Sequence, residues 1–402
     1  MGFGQGLSGL NAASQSLDVI GNNIANSGTV GFKAADVSFA DVFASSRVGL
    51  GTQVAGINQR FAIGTVKDTG NQFDIAIDGE KGFFRVLDTN GAVLYTRNGQ
   101  FHANKDNEIV NAQGHRLTGY AVGEGNPTPI KVPTGNIEPQ ATDRIELKTN
   151  LDANAEVIDT TVAFDPTDGD TFTHSQPVDV YDSLGNAHQL VQYFVKRGES
   201  GGNSQWEVYY TLDGDDSNIT STNPHAMEFD SAGILVSGDT LQLSIENMGG
   251  ANSPAEDLEI DMRYAGSTQF GGKFSPSFTQ TGYPTGEYAS MSIDSDGTIV
   301  ARYTNGETKS MGTVVLADFK NLQGLDPMGG NAWAETSASG QPILGVPGSN
   351  GLAMLKGQSV EESNVDMSAE LVNMIIAQRT YQANAQTIKT QDQIMQTLIT
   401  LR

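Results

Sequence analysis

The sequence predicts a multidomain, mainly β protein of antiparallel sheets and barrel-like domains, enclosed by N- and C-terminal helices that pair as a coiled coil. Three observations carry that expectation. Ser368 to Arg402 is the only long stretch without Gly or Pro, and its apolar residues recur at spacings of three and four. The N-terminus repeats that pattern in shorter form. Between the two, period-two runs punctuated by Asn-Gly pairs and Pro clusters read as strands, hairpins and boundaries.

Composition narrows the function. Forty-seven acidic residues against 23 basic ones give a net charge of −24. Phosphate binding needs clustered Lys and Arg, so nucleic acid is excluded as a partner. The absence of Cys removes disulfides, thiolate metal sites and Cys nucleophiles. No basic residue precedes Lys33 and no apolar run approaches about eighteen residues, so neither a cleaved signal peptide nor membrane insertion is expected. Residues 1–32 carry only Asp18, and 368–402 carry Arg379, Lys389 and Arg402 against Glu370 and Asp392. The acidity therefore sits in the middle, between two nearly neutral ends suited to contact.

Taken in order, Phe3, Leu7, Leu10, Leu17 and Ile24 draw the N-terminal seam, with Ser14 and Gly21 at its remaining positions. Gly2, Gly4, Gly6 and Gly9 each lower helix propensity by roughly 1 kcal/mol relative to Ala, so this helix needs outside support. Gly4, Gly6 and Gly9 spell G-x-G-x-x-G, but no strand can precede them and the dinucleotide reading lacks its context. Residues 26–70 dissolve into recurrent Gly and read as a long connector with hinge candidates Gly31, Gly49, Gly51 and Gly56.

From residue 72 the period becomes two: Phe73, Ile75 and Ile77 alternate with Asp74, Ala76 and Asp78. Thr89, Asn90 and Gly91 turn one hairpin, and the meander runs through Phe101, Ile109, Val110, Leu117 and Tyr120. Pro127, Pro129, Pro133 and Pro139 then mark a boundary. Val191, Tyr193 and Val195 pair with Trp206, Val208 and Tyr210 across a loop at 197–204, with turns at 182–186 and 230–233. Strands return at 288–293, 298–303 and 311–319, whose natural partner is the 72–120 meander. The resulting organisation is nested: 1–25 with 366–402, 26–71 with 356–365, 72–145 with 283–355, and an inserted 146–282.

On the C-terminal helix, Leu371, Met374, Tyr381, Ala385, Ile388, Met395 and Ile399 form a seam interrupted by Gln378 and Asp392, with Ser368 as its N-cap. No catalytic, cofactor or metal site emerges. Asp294, Asp296 and Gly297 resemble part of a calcium loop but lack its remaining ligands and read better as a turn. His102, His115, His174, His188 and His225 show no metal spacing.

Gly21-Asn22-Asn23-Ile24-Ala25-Asn26 with Gly31-Phe32-Lys33 resembles the N-terminal signature of the bacterial flagellar rod and hook protein family. Ser363-Asn364-Val365-Asp366, Glu370 to Ile375, Ala377-Gln378-Arg379 and Tyr381 to Asn384 are similar to its closing helix. Gly82-Phe83-Phe84, Tyr95 to Gly99 and Leu117 to Tyr120 are similar to its β-core. The large insert, with Asp182 to His188, sides with the hook members rather than a distal rod protein; an acidic β-rich hydrolase would leave the terminal helices unexplained. The resemblance implies a non-enzymatic subunit that self-assembles into a curved extracellular tube, a universal joint carrying motor torque to the filament. It implies the flagellar export apparatus, distal rod protein, hook cap protein and first hook–filament junction protein as partners, and no cofactor. The assembly residues it points to are Leu7, Leu10, Leu17, Ile20, Asn22, Asn23, Ile24 and Asn26, with Leu371, Met374, Ile375, Gln378, Arg379, Tyr381, Ala385, Ile388, Met395 and Ile399.

Overall fold

The computed structural model describes residues 2–42, 51–248 and 254–400. The hinge candidate Gly49 and the last two residues lie outside them. The chain divides into two compact units: residues 1–134, 289–302 and 308–402, and residues 135–288 with 303–307.

In the first unit, helices α1 (Gly2–Ala25) and α2 (Met367–Thr400) lie antiparallel. Asn23 meets Glu370, while Gly9 faces Asn384 and Gly6 faces Ile388. The cap of α2 is Asp366 rather than the expected Ser368. Its Oδ1 accepts hydrogen bonds from the amides of Ser368 at 2.9 Å and Ala369 at 3.1 Å. A carboxylate there satisfies two free amides and adds negative charge at the positive end of the helix dipole, which a hydroxyl cannot match.

The expected connector contains two paired strands, β1 (Ala35–Val42) and β2 (Gly51–Gln59), with Ala35 opposite Gln59 and Val42 opposite Gly51. Their alternation is hidden in the sequence by a bulge: Ser38 pairs with Gly56 and Phe39 with Val54, so one residue of β2 is extra and the period slips. The hairpin is tied to α1 where the Ser8 hydroxyl accepts the Thr52 amide proton at 3.3 Å.

The strand Phe83–Leu87 pairs with Val93–Thr96 across the predicted Asn90-Gly91 turn, where Gly91 takes a φ of +86°. It also pairs with Arg116–Tyr120 and Leu316–Asp318, and Thr308–Val314 returns to Arg116–Tyr120. The late strands thus close onto the early meander, as a nested chain requires. Ile75, Ala76 and Ile77 are all fully buried, so that strand is covered on both faces despite its alternating sequence. Phe61, Phe83, Tyr95, Phe319 and Trp333 make the core, with ring centroids 4.8–6.2 Å apart in edge-on contacts.

The second unit is a two-layer β structure. One sheet holds His174–Tyr181, Ala187–Ser200, Asn203–Leu212, His225–Phe229 and Leu235–Ser237 in sequential antiparallel order. The loop expected at 197–204 is tighter than its sequence suggests, because both strands continue until Ser200 pairs with Asn203 and only Gly201 and Gly202 turn, both at positive φ. The other sheet departs from the antiparallel expectation: Arg144–Asn150 pairs in parallel with Leu258–Arg263 and antiparallel with Ser275–Gln280. Alternate residues of both sheets, among them Leu147, Phe194, Trp206, Tyr210, Ile260 and Met262, form one core.

Inside that core the Tyr210 and Tyr264 hydroxyls lie 2.6 Å apart, and Tyr264 donates to Gln192 Oε1 at 2.9 Å. Burial pushes both phenols well above the ordinary tyrosine value. A raised folded pKa contributes stability that is complete below about pH 10 and lost as pH rises toward the folded value. Alkaline titration should therefore destabilise this unit from about pH 10 upward, with a slope near 2.7 kcal/mol per pH unit for the pair. Tyr264→Phe should roughly halve that slope in denaturant unfolding followed at pH 9.5–11.5.

Candidate assembly surface

The helix pair meets along a line that differs from the apolar seam read in the sequence. On α2 the side turned inward passes through Glu370, Met374, Ala377, Asn384 and Ile388, of which Glu370 and Ala377 are buried. On α1 it passes through Gly6, Gly9, Ala13, Ile20 and Asn23. Small and polar groups, Gly6, Gly9, Ala13, Asn23, Glu370, Ala377 and Asn384, make up most of the contact, with Ile20, Met374 and Ile388 beside them. A Cβ on Gly9 would stand 2.8 Å from the Asn384 amide, and one on Gly6 would stand 3.0 Å from Ile388 Cγ1. The glycines that weaken α1 as an isolated helix are what let α2 approach it.

Half of the apolar seam consequently faces outward, together with further apolar residues beside it. Leu371, Ile375, Tyr381, Met395 and Ile399 are exposed, Ile399 by 71%, and so are Phe3, Leu7, Val372, Ile376 and Ile394. Met374, Ala385, Ile388, Leu10, Leu17 and Ile24 are half-buried, while Gln378 and Arg379 are exposed. That is more contiguous apolar surface than a monomeric protein ordinarily leaves open.

The asparagine-rich signature builds the junction between helices and hairpin. Asn23 Oδ1 accepts from the Ala35 amide at 3.0 Å, and Asn23 Nδ2 donates to the Ala35 carbonyl at 2.8 Å and to Glu370 at 3.4 Å. One buried side chain thus joins α1, β1 and α2. Asn22 and Asn26 instead close the end of α1 on themselves, with Asn26 Nδ2 donating to Asn22 Oδ1 at 2.6 Å. From the other end of the chain, Asn364 accepts the Ala34 amide proton and donates to the Arg60 and Ala62 carbonyls.

Below this junction lies a group that sequence reasoning missed. Lys33 Nζ reaches Glu361 Oε1 at 2.5 Å, and an Arg97 nitrogen reaches Glu361 Oε2 at 3.2 Å, with all three side chains fully buried. Backbone carbonyls complete the cations: Ala62 for Lys33, and Gly79 and Glu80 for Arg97. Burial pulls Lys33 below the usual lysine value against the opposing attraction of Glu361, and burial acts on Arg97 in the same direction. Lys33 belongs to Gly31-Phe32-Lys33 and Arg97 to Tyr95 to Gly99, so two matched motifs converge on one carboxylate. Their shared appearance in the resemblance was the available signal; Glu361 had none.

Two of the three described hinge candidates sit in close quarters, while Gly56 has nothing within 4 Å of where a Cβ would stand. Gly31, at φ +72°, lies against the Arg97–Asn98 backbone; Gly51, at φ +121°, lies against Ser8; Gly56 is inside β2. Bending at the first two would require those contacts to open. Among the described residues no cluster of three or more His, Asp or Glu could hold a metal ion.

Four family models match the chain in series: a flagella basal body rod protein model over residues 5–33, the flagellar hook protein FlgE/F/G D1 domain over 76–153, the flagellar basal body protein FlaE D2 domain over 150–283, and the flagellar basal body rod FlgEFG protein C-terminal region over 356–401. Terminal helices carrying rod signatures around nested β-domains define the structural, non-enzymatic proteins of the flagellar axis. The chain is 43% identical to the flagellar hook protein FlgE of Escherichia coli over 412 residues and 44% identical to that of Salmonella typhimurium, covering all of each chain. It is 32% identical to that of Borreliella burgdorferi, covering 99% of this chain and 98% of the relative. It belongs to the flagellar hook protein family. The crystal structure of Helicobacter pylori flagellar hook protein FlgE2 shares the fold at a TM-score of 0.53 and 14% identity, covering 75% of this chain and all of that one.

Proposed function

We propose that the chain is the structural subunit of an extracellular flagellar hook, polymerising with copies of itself into a curved tube that serves as a universal joint for motor torque. The observation that carries this reading is the exposed apolar stripe on α1 and α2, left open by a helix pair that meets largely through Gly, Ala and Asn. Covering ten such side chains is worth about 1.5–3 kcal/mol each, enough to drive association once copies supply the missing surface. The export apparatus, distal rod protein, hook cap protein and first hook–filament junction protein are the partners this role requires.

Electron microscopy of the concentrated protein tests it. Curved, flexible tubes are the expected result, and a species that stays monomeric at every concentration would overturn the reading. A straight, stiff polymer would favour a rod component. Amide exchange supplies a second measurement: residues 2–24 should exchange quickly in the monomer and slowly in the polymer.

A further inference from the structure

The first unit holds a groove of about 740 Å³ between the helix pair and the β1–β2 hairpin. Its walls include Ala12, Ala13, Ile20, Val37, Phe39 and Ile376, so its lining is mainly apolar. At the far end of the same unit, α2 outruns its partner. Gly6 lies against Ile388, so Gly2, the first described residue of α1, is about level with Asp392. Residues 393–400 therefore project roughly 12 Å beyond it, about two helical turns. That projection carries no charged residue, and Ile394, Met395 and Ile399, at spacings of one and four, expose one apolar face by 53–71%.

We propose that the projecting end of α2 seats in the α1–β1–β2 groove of a second copy of this chain. Size supports that occupant: a helix 10–12 Å across with a 5.4 Å pitch fills roughly 420–610 Å³ per turn, so the groove takes between one and two turns. Continuity supports it as well, because the projection prolongs the helix pair's own seam and arrives with an apolar face. Knob and groove occupy different places on one subunit, so the contact is head-to-tail, the kind that builds an open helical polymer when its rotation does not close into a ring. The proposal rests on the self-assembly reading and adds the pair of surfaces that carries the axial repeat.

The chain contains no Cys, so engineered cysteines report without background. Two pairs are made in the full chain: Ile399→Cys with Phe39→Cys, and Met395→Cys with Thr380→Cys, Thr380 being a further residue of the groove wall. Oxidation of assembled protein should give a ladder of cross-linked multimers on a non-reducing gel for at least one of them. Ile399→Cys with Asn90→Cys, outside the groove, should give none. In parallel, Ile394→Ser with Ile399→Ser should raise the critical concentration for assembly on the order of tenfold and leave the monomer's melting temperature unchanged.

Tubes that form without a ladder and are indifferent to the serine changes would overturn the docking mode and leave self-assembly intact. Cross-linked bands at monomer size would place the tip in its own groove and overturn it too. Absence of any polymer in the parent protein would instead sink the self-assembly reading itself.

Discussion

Glu361→Ala should destabilise the first unit by about 3–5 kcal/mol, because it leaves two buried cations facing each other without their shared anion. The geometry leaves little room for relief. Glu361 is fully buried and accepts from Lys33 at 2.5 Å, from Arg97 at 3.2 Å and from the Gly64 amide at 2.9 Å. Lys33→Met should behave differently. The Ala62 carbonyl keeps its bond from Asn364, and what remains is a balanced Arg97–Glu361 pair. The pKa direction agrees: Lys33 is lowered by burial, so its contribution to stability is complete above the ordinary lysine value and is lost as pH falls through the folded value. At neutral pH its charge is therefore held at a cost, and its removal should change stability by no more than about 1 kcal/mol. Urea unfolding followed by Trp333 fluorescence, in a Trp206→Phe background, measures both. Equal losses for the two substitutions would show that packing rather than charge balance sets the cost.

The contrast between those residues shows what was legible in the sequence. Hairpins announced themselves because their signals are local: Asn90-Gly91 supplies a turn whose backbone only such residues adopt easily, and period two follows from the pleat. The terminal helices were equally visible. Which face of each helix meets the other was not, because apolar periodicity shows where burial is favourable and is silent about whether the partner is the same chain or another copy. α1 and α2 meet through Gly6, Gly9 and Asn384, residues a hydrophobic pattern discounts, and half of the stripe it does find is left open. The β1–β2 hairpin was hidden for another reason. One bulge shifts the period, and glycines within β2 lower its strand signal. Glu361 was invisible because its role depends on Lys33 and Arg97, both more than 200 positions away in the chain. Only the fold brings them together.

Trp206→Ala should cost the second unit about 3–5 kcal/mol, as expected for removing a large, fully buried ring from a close-packed core. The ring stacks against His174 at a centroid distance of 6.4 Å and belongs to one buried cluster with Phe194, Val208 and Met227, and its strand neighbours Lys196 and Met227 are themselves buried. Rigid, paired strands cannot collapse into the space, so most of the cavity should persist. The informative measurement is which unit responds. The core around Trp206 is formed by residues between 141 and 274, all of the second unit, while the aromatic core around Trp333 is formed by residues of the first unit. Each core is thus built from residues of its own unit. Calorimetry should then show two transitions with only one displaced, and Trp333 fluorescence should still report the original midpoint. Because the proposed assembly surface lies on α1 and α2, the variant should also form tubes at an unchanged critical concentration. A joint shift of both transitions would mean that the insert stabilises its host, and loss of tubes with an intact first unit would move part of the assembly surface onto the insert.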